Sequence, residues 1–139
     1  MSEENKQLAR QWFEEVWNKK DAAAIDRLFH KNGRAHGFPE NKSVLVGPEA
    51  FKEIHRNFLQ TFPDLHLQLE DIIAEGDRVA VRWSAEMTHL GEGLGLAPTG
   101  KRVDLHGAAF IVIHDGQITD GWNEIDMNHL FTQLREDSI

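Results

Sequence analysis

The hydrophobic period of this chain changes once, at Leu65, and that change restricts it to folds in which helices are laid on a sheet. Before Leu65, apolar residues recur at helical spacing. Leu8, Trp12, Phe13, Val16 and Trp17 do so over Glu3–Asn18, and Phe51, Ile54, His55, Phe58 and Leu59 do so from Gly47-Pro48-Glu49 to about Thr61. After it they alternate: Leu65, Leu67 and Leu69, then Val79, Val81, Trp83, Ala85 and Met87 between Arg78 and Thr88. Helices followed by a run of strands predict an α+β fold, with the helices on one face of a mainly antiparallel meander.

Local signals set the boundaries. Lys19-Lys20-Asp21 breaks the first helix, and Asp21 can cap a second through about Phe29, with Ile25, Leu28 and Phe29 buried. An extended piece over Arg34–Phe38 ends at Pro39 and the polar Pro39–Ser43 loop. Pro48 suits a first helical turn, and Pro63 lies beyond that helix. Glu75-Gly76-Asp77 is a turn, Gly91–Gly100 a glycine-rich loop, and Lys101–Ile113 and Gln117–Asp126 two strands across Asp115-Gly116. Met127–Arg135 closes the chain as a helix or turn, with Asp126 as its cap. The 139 residues read as one domain, without internal repeat or linker.

Composition removes several functions. A net charge of −8, with no dense Lys/Arg stripe, argues against a nucleic-acid partner. Without cysteine there is no disulfide, thiolate or cysteine-ligated metal chemistry. Apolar runs of only a few residues predict no membrane span, and the polar start predicts no secretory signal, so a cytoplasmic location is expected. His30, His55, His66, His89, His114 and His129 show no metal-ligand spacing, so no metal and no cofactor is expected. The Gly91–Gly100 loop lacks the order of a phosphate cradle and is expected to be a flap over a pocket.

The last hairpin carries His106, Phe110, Asp120 and Trp122. A two-residue Asp115-Gly116 turn pairs Ile111 with Asp120, whereas a three-residue loop pairs Phe110 with Asp120. The second register gathers His106, Ala108, Phe110 and Val112 with Ile118, Asp120 and Trp122, and it is preferred because that set would make a pocket wall. His106 then lies about 13 Å along the strand from Asp120, too far for a hydrogen-bonded dyad.

Thr88-His89-Leu90-Gly91-Glu92, Gly95–Lys101, Asp115–Trp122 and Asp126 resemble the SnoaL-like polyketide cyclases, also called ester cyclases, of the nuclear transport factor 2-like superfamily. The resemblance implies a cone: a strongly curved sheet enclosing a pocket, with N-terminal helices across it. It implies cofactor-independent, intramolecular aldol-type cyclisation of a small hydrophobic carbonyl-containing, polyketide-like ligand. Asp120 would be the general base and His106 would stabilise or protonate the developing oxygen. Trp122, Phe110, His36 and Trp83 would contact the substrate. A homodimer paired through the outer face of the sheet is also implied. Two alternatives stay open: a non-catalytic small-molecule pocket, and an isomerase or hydrolase on the same scaffold.

Overall fold

The computed structural model describes residues 2–38 and 44–135; the expected Pro39–Ser43 loop lies outside the described residues. The first amphipathic segment begins as helix α1 (Ser2–Gln11) and widens into a π-helical segment, Trp12–Asn18. Lys19 N–H donates to the Glu14 carbonyl, five residues back, at 2.8 Å. The wider turn brings Trp12, Phe13, Val16 and Trp17 all to the buried side, which a regular α-helix would splay over a broader arc. His55 Nε2–H donates to the Val16 carbonyl at 2.6 Å, tying this segment to the helix packed against it. At the segment's end, the Asn18 amide donates to the Leu67 carbonyl at 2.8 Å and accepts from Leu67 N–H at 2.7 Å. It thus does for an edge strand what a neighbouring strand would do.

Helix α2 (Ala22–Leu28) starts at Asp21, whose side chain accepts from Ala23 N–H, as expected. Strands β1 (Phe29–His36) and β2 (Leu45–Val46) follow, then helix α3 (Gly47–Thr61). The meander is β3 (His66–Glu75), β4 (Arg78–Thr88), β5 (Arg102–His114) and β6 (Gln117–Ile125), and α4 (Met127–Arg135) closes the described chain. The helical alternative for that last segment holds, and Asp126 caps it by accepting from His129 N–H at 3.1 Å.

The six strands lie in the order β2-β1-β6-β5-β4-β3. Only β1 against β6 is parallel, so the sheet is mixed but mainly antiparallel. Irregularities curl it: one between Leu69 and Asp71 in β3, one between Phe29 and Arg34 where β1 joins β6, and one where β6 meets the end of β5. The first also shifts the inward face of β3 from Leu67 and Leu69 to Ile72 and Ala74. The result is the expected α+β cone, curled rather than closed. No helix among the described residues is long and apolar enough to cross a membrane.

The Gly91–Gly100 loop is not a flap over the inside of this cone. It is docked on the C-terminal end of α3: Leu90 and Gly91 N–H both donate to the Thr61 carbonyl, and a Cβ at Gly91 would run into the Gln60 backbone. Its root is closed by His89, whose N–H donates to the Lys101 carbonyl at 2.9 Å and whose Nδ1 accepts from Thr99 N–H at 3.3 Å.

His55 and His89 are buried, and burial pushes both imidazoles below the ordinary histidine value of 6.5; for His55 the Val16 carbonyl offsets part of this. The unfolded chain therefore binds protons that the folded chain refuses. Stability is fully present above about pH 6.5 and is lost as pH falls below it. The urea midpoint should drop between about pH 7.5 and pH 5.5, and NMR titration should find both rings less than half protonated at about pH 6.5. Half-protonated rings at that pH would contradict this account.

Candidate functional site

Between the concave sheet face and the helices lies a cavity of about 80 Å³. Trp12, Phe13 and Trp17 of the π-helical segment and Phe51 and Phe58 of α3 form its roof. The rings meet mostly edge-on, Trp12 with Phe51 at 5.1 Å and Phe38 with Phe51 at 5.3 Å between centroids, an arrangement that adds to their area burial. Alternating inward residues of the sheet form the floor, and small ones among them, Ala35, Ala85, Ala109 and Gly121, leave the space. Phe38, Phe58, Asn123 and Ile125 are the half-buried members of the lining and mark the mouth, where β1 and β6 end.

None of the lining residues ionises. Two polar groups belong to the wall. The Asn123 amide makes no hydrogen bond among the described residues, and the Trp83 indole Nε1–H is buried without a partner. Gly107, opposite Trp83 on β5, gives that indole its place: a Cβ there would stand 2.7 Å from the Trp83 ring and 2.5 Å from the Glu124 carbonyl oxygen.

The ionisable residues expected in the pocket stand elsewhere. Asp115 and Gly116 both have positive φ and form the two-residue turn that pairs His114 with Gln117 and Ile113 with Ile118. Thr119 then bulges, so that Val112 faces Asp120 and Phe110 faces Trp122. Neither expected register is therefore the observed one. The bulge nevertheless leaves His106, Ala108, Phe110, Asp120 and Trp122 on a common face, as the preferred register had it. That face is the outer, convex one, because Leu105, Ala109 and Ile111 claim the inside. The expected pocket wall is corrected accordingly: His106, Asp120, Trp122, Phe110 and His36 do not line the cavity, and Trp83 does.

On the outer face, the His36 ring stacks on Trp122 with centroids 4.9 Å apart, and its Nε2 lies 3.6 Å from Asp120 Oδ1. Phe110 meets Trp122 edge-on, and Arg78 lies over the Phe110 ring at 5.9 Å. Phe110 and Trp122 are 42% and 40% exposed and form an aromatic patch on that face. His106 pairs in the sheet with Ser84 and lies near the His129 ring, which bonds Asp104 at 2.8 Å. With Asp120 now opposite Val112, His106 is six residues away along β5, roughly 20 Å, so the two form no dyad, as expected. Among the described residues no group of three or more His, Cys, Asp or Glu could hold a metal ion.

Asn123 is the polar wall residue that sequence reasoning did not single out. Its signal was parity: with Thr119 bulged out of the ladder, Gly121, Asn123 and Ile125 share the inward face.

A family model described as SnoaL-like polyketide cyclase matches residues 7–134. No curated protein matches the chain significantly. Among solved structures, a protein of Jannaschia sp. CCS1, provisionally described as a SnoaL-like polyketide cyclase, superposes with a TM-score of 0.90 at 22% identity, over 99% of this chain and 96% of that one. At that identity the likeness speaks for the fold alone, the nuclear transport factor 2-like cone. AclR of Streptomyces galilaeus, provisionally described as a hydroxylase, superposes with a TM-score of 0.84 at 30% identity, over 96% of this chain and 97% of that one. TsrD of Streptomyces laurentii follows with a TM-score of 0.83 at 27% identity, over 95% of both chains.

The fit of Trp83 over Gly107 makes the cavity wall sensitive to one methyl group. Gly107→Ala should destabilise the fold by about 1–3 kcal/mol, read as a lower urea midpoint, and should alter Trp83 fluorescence. A variant as stable as the parent would show that the indole has room to shift.

Proposed function

The chain belongs to the SnoaL-like polyketide cyclase family, and from that premise we propose that it takes a flat, largely apolar carbonyl compound of the polyketide kind into its cone and promotes ring closure there. The observation that carries the binding half is the cavity itself: one apolar hollow beneath the helices, roofed by aromatic rings, with polar atoms in its wall at Asn123 and Trp83. Its volume of about 80 Å³ is smaller than that of a site built for a drug-sized ligand, so a multi-ring ligand enters by displacing the half-buried rings of Phe38 and Phe58 at the mouth.

The chemistry is assigned differently from a buried acid/base pair. A carbon flanked by two carbonyls is acidic enough to enolise with modest help. The cavity's contribution is confinement in a reactive shape and hydrogen bonds to a carbonyl oxygen as negative charge develops on it. Asn123, half-buried at the mouth with an unengaged amide, is the residue proposed for that second task. Asp120 and His106 are left out because neither reaches the lining. A second reading, binding without turnover, is favoured by the absence of any ionisable group among the lining residues. The likeness to proteins described as a cyclase and as a hydroxylase is compatible with both, since what such proteins share is a scaffold rather than a reaction.

The exposed Phe110–Trp122 patch supports pairing of two copies through the outer sheet face. Light scattering should give twice the chain mass of 15.9 kDa, and Trp122→Glu should return it to one; a single-chain mass for the parent would end this reading.

Binding is tested with 9-fluorenone, a flat ketone, by quenching of tryptophan fluorescence. Ala109→Leu, which fills the wall opposite Asn123, should weaken binding about tenfold or more, and Asp120→Asn should change it less than about twofold. With aryl β-diketoester substrates, ring closure should fall about 10- to 100-fold in Asn123→Leu and hold in Asp120→Asn. A hundredfold loss in Asp120→Asn would place the chemistry outside the cavity. Binding without ring closure in the parent would leave the second reading standing.

A further inference from the structure

Three buried side-chain nitrogens among the described residues have no hydrogen-bond partner: His36 Nε2, Trp83 Nε1 and His89 Nε2. Native proteins leave few such groups unpaired, so each one asks for a reason. His36 Nε2 lies on the outer face with the Asp120 carboxylate 3.6 Å away. His89 sits at the root of the docked loop, its ring 5.6 Å from that of Phe62. Trp83 is the one that belongs to the cavity wall, and an indole N–H can only donate; it has no second protonation state with which to adapt to apolar surroundings.

We infer that Trp83 Nε1–H is the anchoring donor for a carbonyl-type oxygen of the ligand, so that the cavity distinguishes a flat ketone from a hydrocarbon of the same shape. This rests on the cavity being the ligand site proposed above, and it adds which atom of the protein reads which atom of the ligand.

The donor is held in place before any ligand arrives. Trp83 lies in β4, which is paired on both sides, to Leu69 of β3 and Gly107 of β5. Its neighbours are fixed on the opposite face, Arg82 by Asp71 at 2.7 Å and Ser84 by Glu70 at 2.6 Å. The indole lies close over Gly107, where any side chain would displace it. A fixed donor in apolar surroundings gives a stronger hydrogen bond than one that must first be oriented.

Water is a poor alternative occupant. An ordered buried water needs two to four polar partners. The other polar wall group, Asn123, is two strands across and two residues along from Trp83, roughly 12 Å at the backbone. Those two side chains are the polar groups among the described lining residues, so a water there has few partners, whereas a ligand with an oxygen function at each end could serve both.

The test uses ¹⁵N-labelled full-length protein, whose four tryptophans give separate indole N–H signals, and the matched pair 1-indanone and indane. 1-Indanone should move the Trp83 indole proton downfield and indane should not. Trp83→Phe should weaken 1-indanone binding about tenfold while changing indane less than about threefold. The wild-type shifts need no variant, so a Trp83→Phe chain that fails to fold leaves the test intact. If both ligands bind, neither moves the Trp83 signal downfield, and the substitution affects them equally, Trp83 only packs; the anchor is then overturned while the cavity reading stands. If neither ligand moves the signals of Trp12, Trp17 or Trp83 at its solubility limit, the cavity reading and the anchor both fall.

Discussion

The inward face of β4, β5 and β6 sets small residues among its large ones, and the hollow at the centre of the molecule depends on them. Ala85, Ala109 and Gly121 sit where larger side chains would meet the helices. The sheet's bulges lift it into a curve, so the two layers touch around the edge and part in the middle. A flat sheet with the same residues would let the helices settle onto it, and a curved one with leucines throughout would be solid. The hollow therefore needs both the curl and the small residues, and the sheet supplies both.

The roof needs a matching device. Large rings must cover a gap without dropping into it, and the π-helical segment provides this by setting Trp12, Phe13, Val16 and Trp17 on one side within seven residues. Widening a helix weakens its own hydrogen bonding. His55 compensates by donating to Val16, and Asn18 by bonding both backbone groups of Leu67. Removing the rings from water stabilises the arrangement, at roughly 2–3 kcal/mol for each large side chain fully buried. The same rings also stiffen one another through edge-on contacts, so the roof holds its shape over a space that does not push back.

Most of the fold was legible because its signals are local. The period change at Leu65, the Asp21 and Asp126 caps, Pro48 in the first turn of α3 and the turn at Asp115-Gly116 all act within a few residues of where they appear. What was not legible depends on distant partners or on a single extra residue. The parallel seat of β1 beside β6 carries no mark in either segment, because pairing is decided by the crossover between them. The docking of Gly91 against α3 reads as a flexible loop until the helix end is beside it. The bulge at Thr119 carries no local mark either: it sets Asp120 opposite Val112 rather than Phe110 without changing which side chains share a face. Asp120, His106 and Trp122 suggest a pocket by their chemistry, but alternating strands turn their apolar residues inward. By that rule Leu105, Ala109 and Ile111 already held the inside.

That rule also explains why no described residue of the cavity wall carries an ionisable side chain. A carboxylate placed among Trp12, Phe51 and Ile111 would lose its water and gain no partner, at a cost of several kcal/mol or a large upward shift in pKa. For a domain this small such a cost is a large part of its net stability. Neutral donors do not carry that burden. An indole N–H or an amide can wait in an apolar wall at the expense of one unmade hydrogen bond and then act on a ligand oxygen in surroundings where the interaction is not screened. A fold that keeps its charges on the outer face and its neutral donors inside thus retains its stability when empty. Under the function proposed above, such a wall would choose the ligand's shape, hold it and stabilise charge on an oxygen, leaving proton transfer to groups outside the described lining. Chemistry suited to such a site starts from a substrate that is already a strong carbon acid, as a carbon between two carbonyls is.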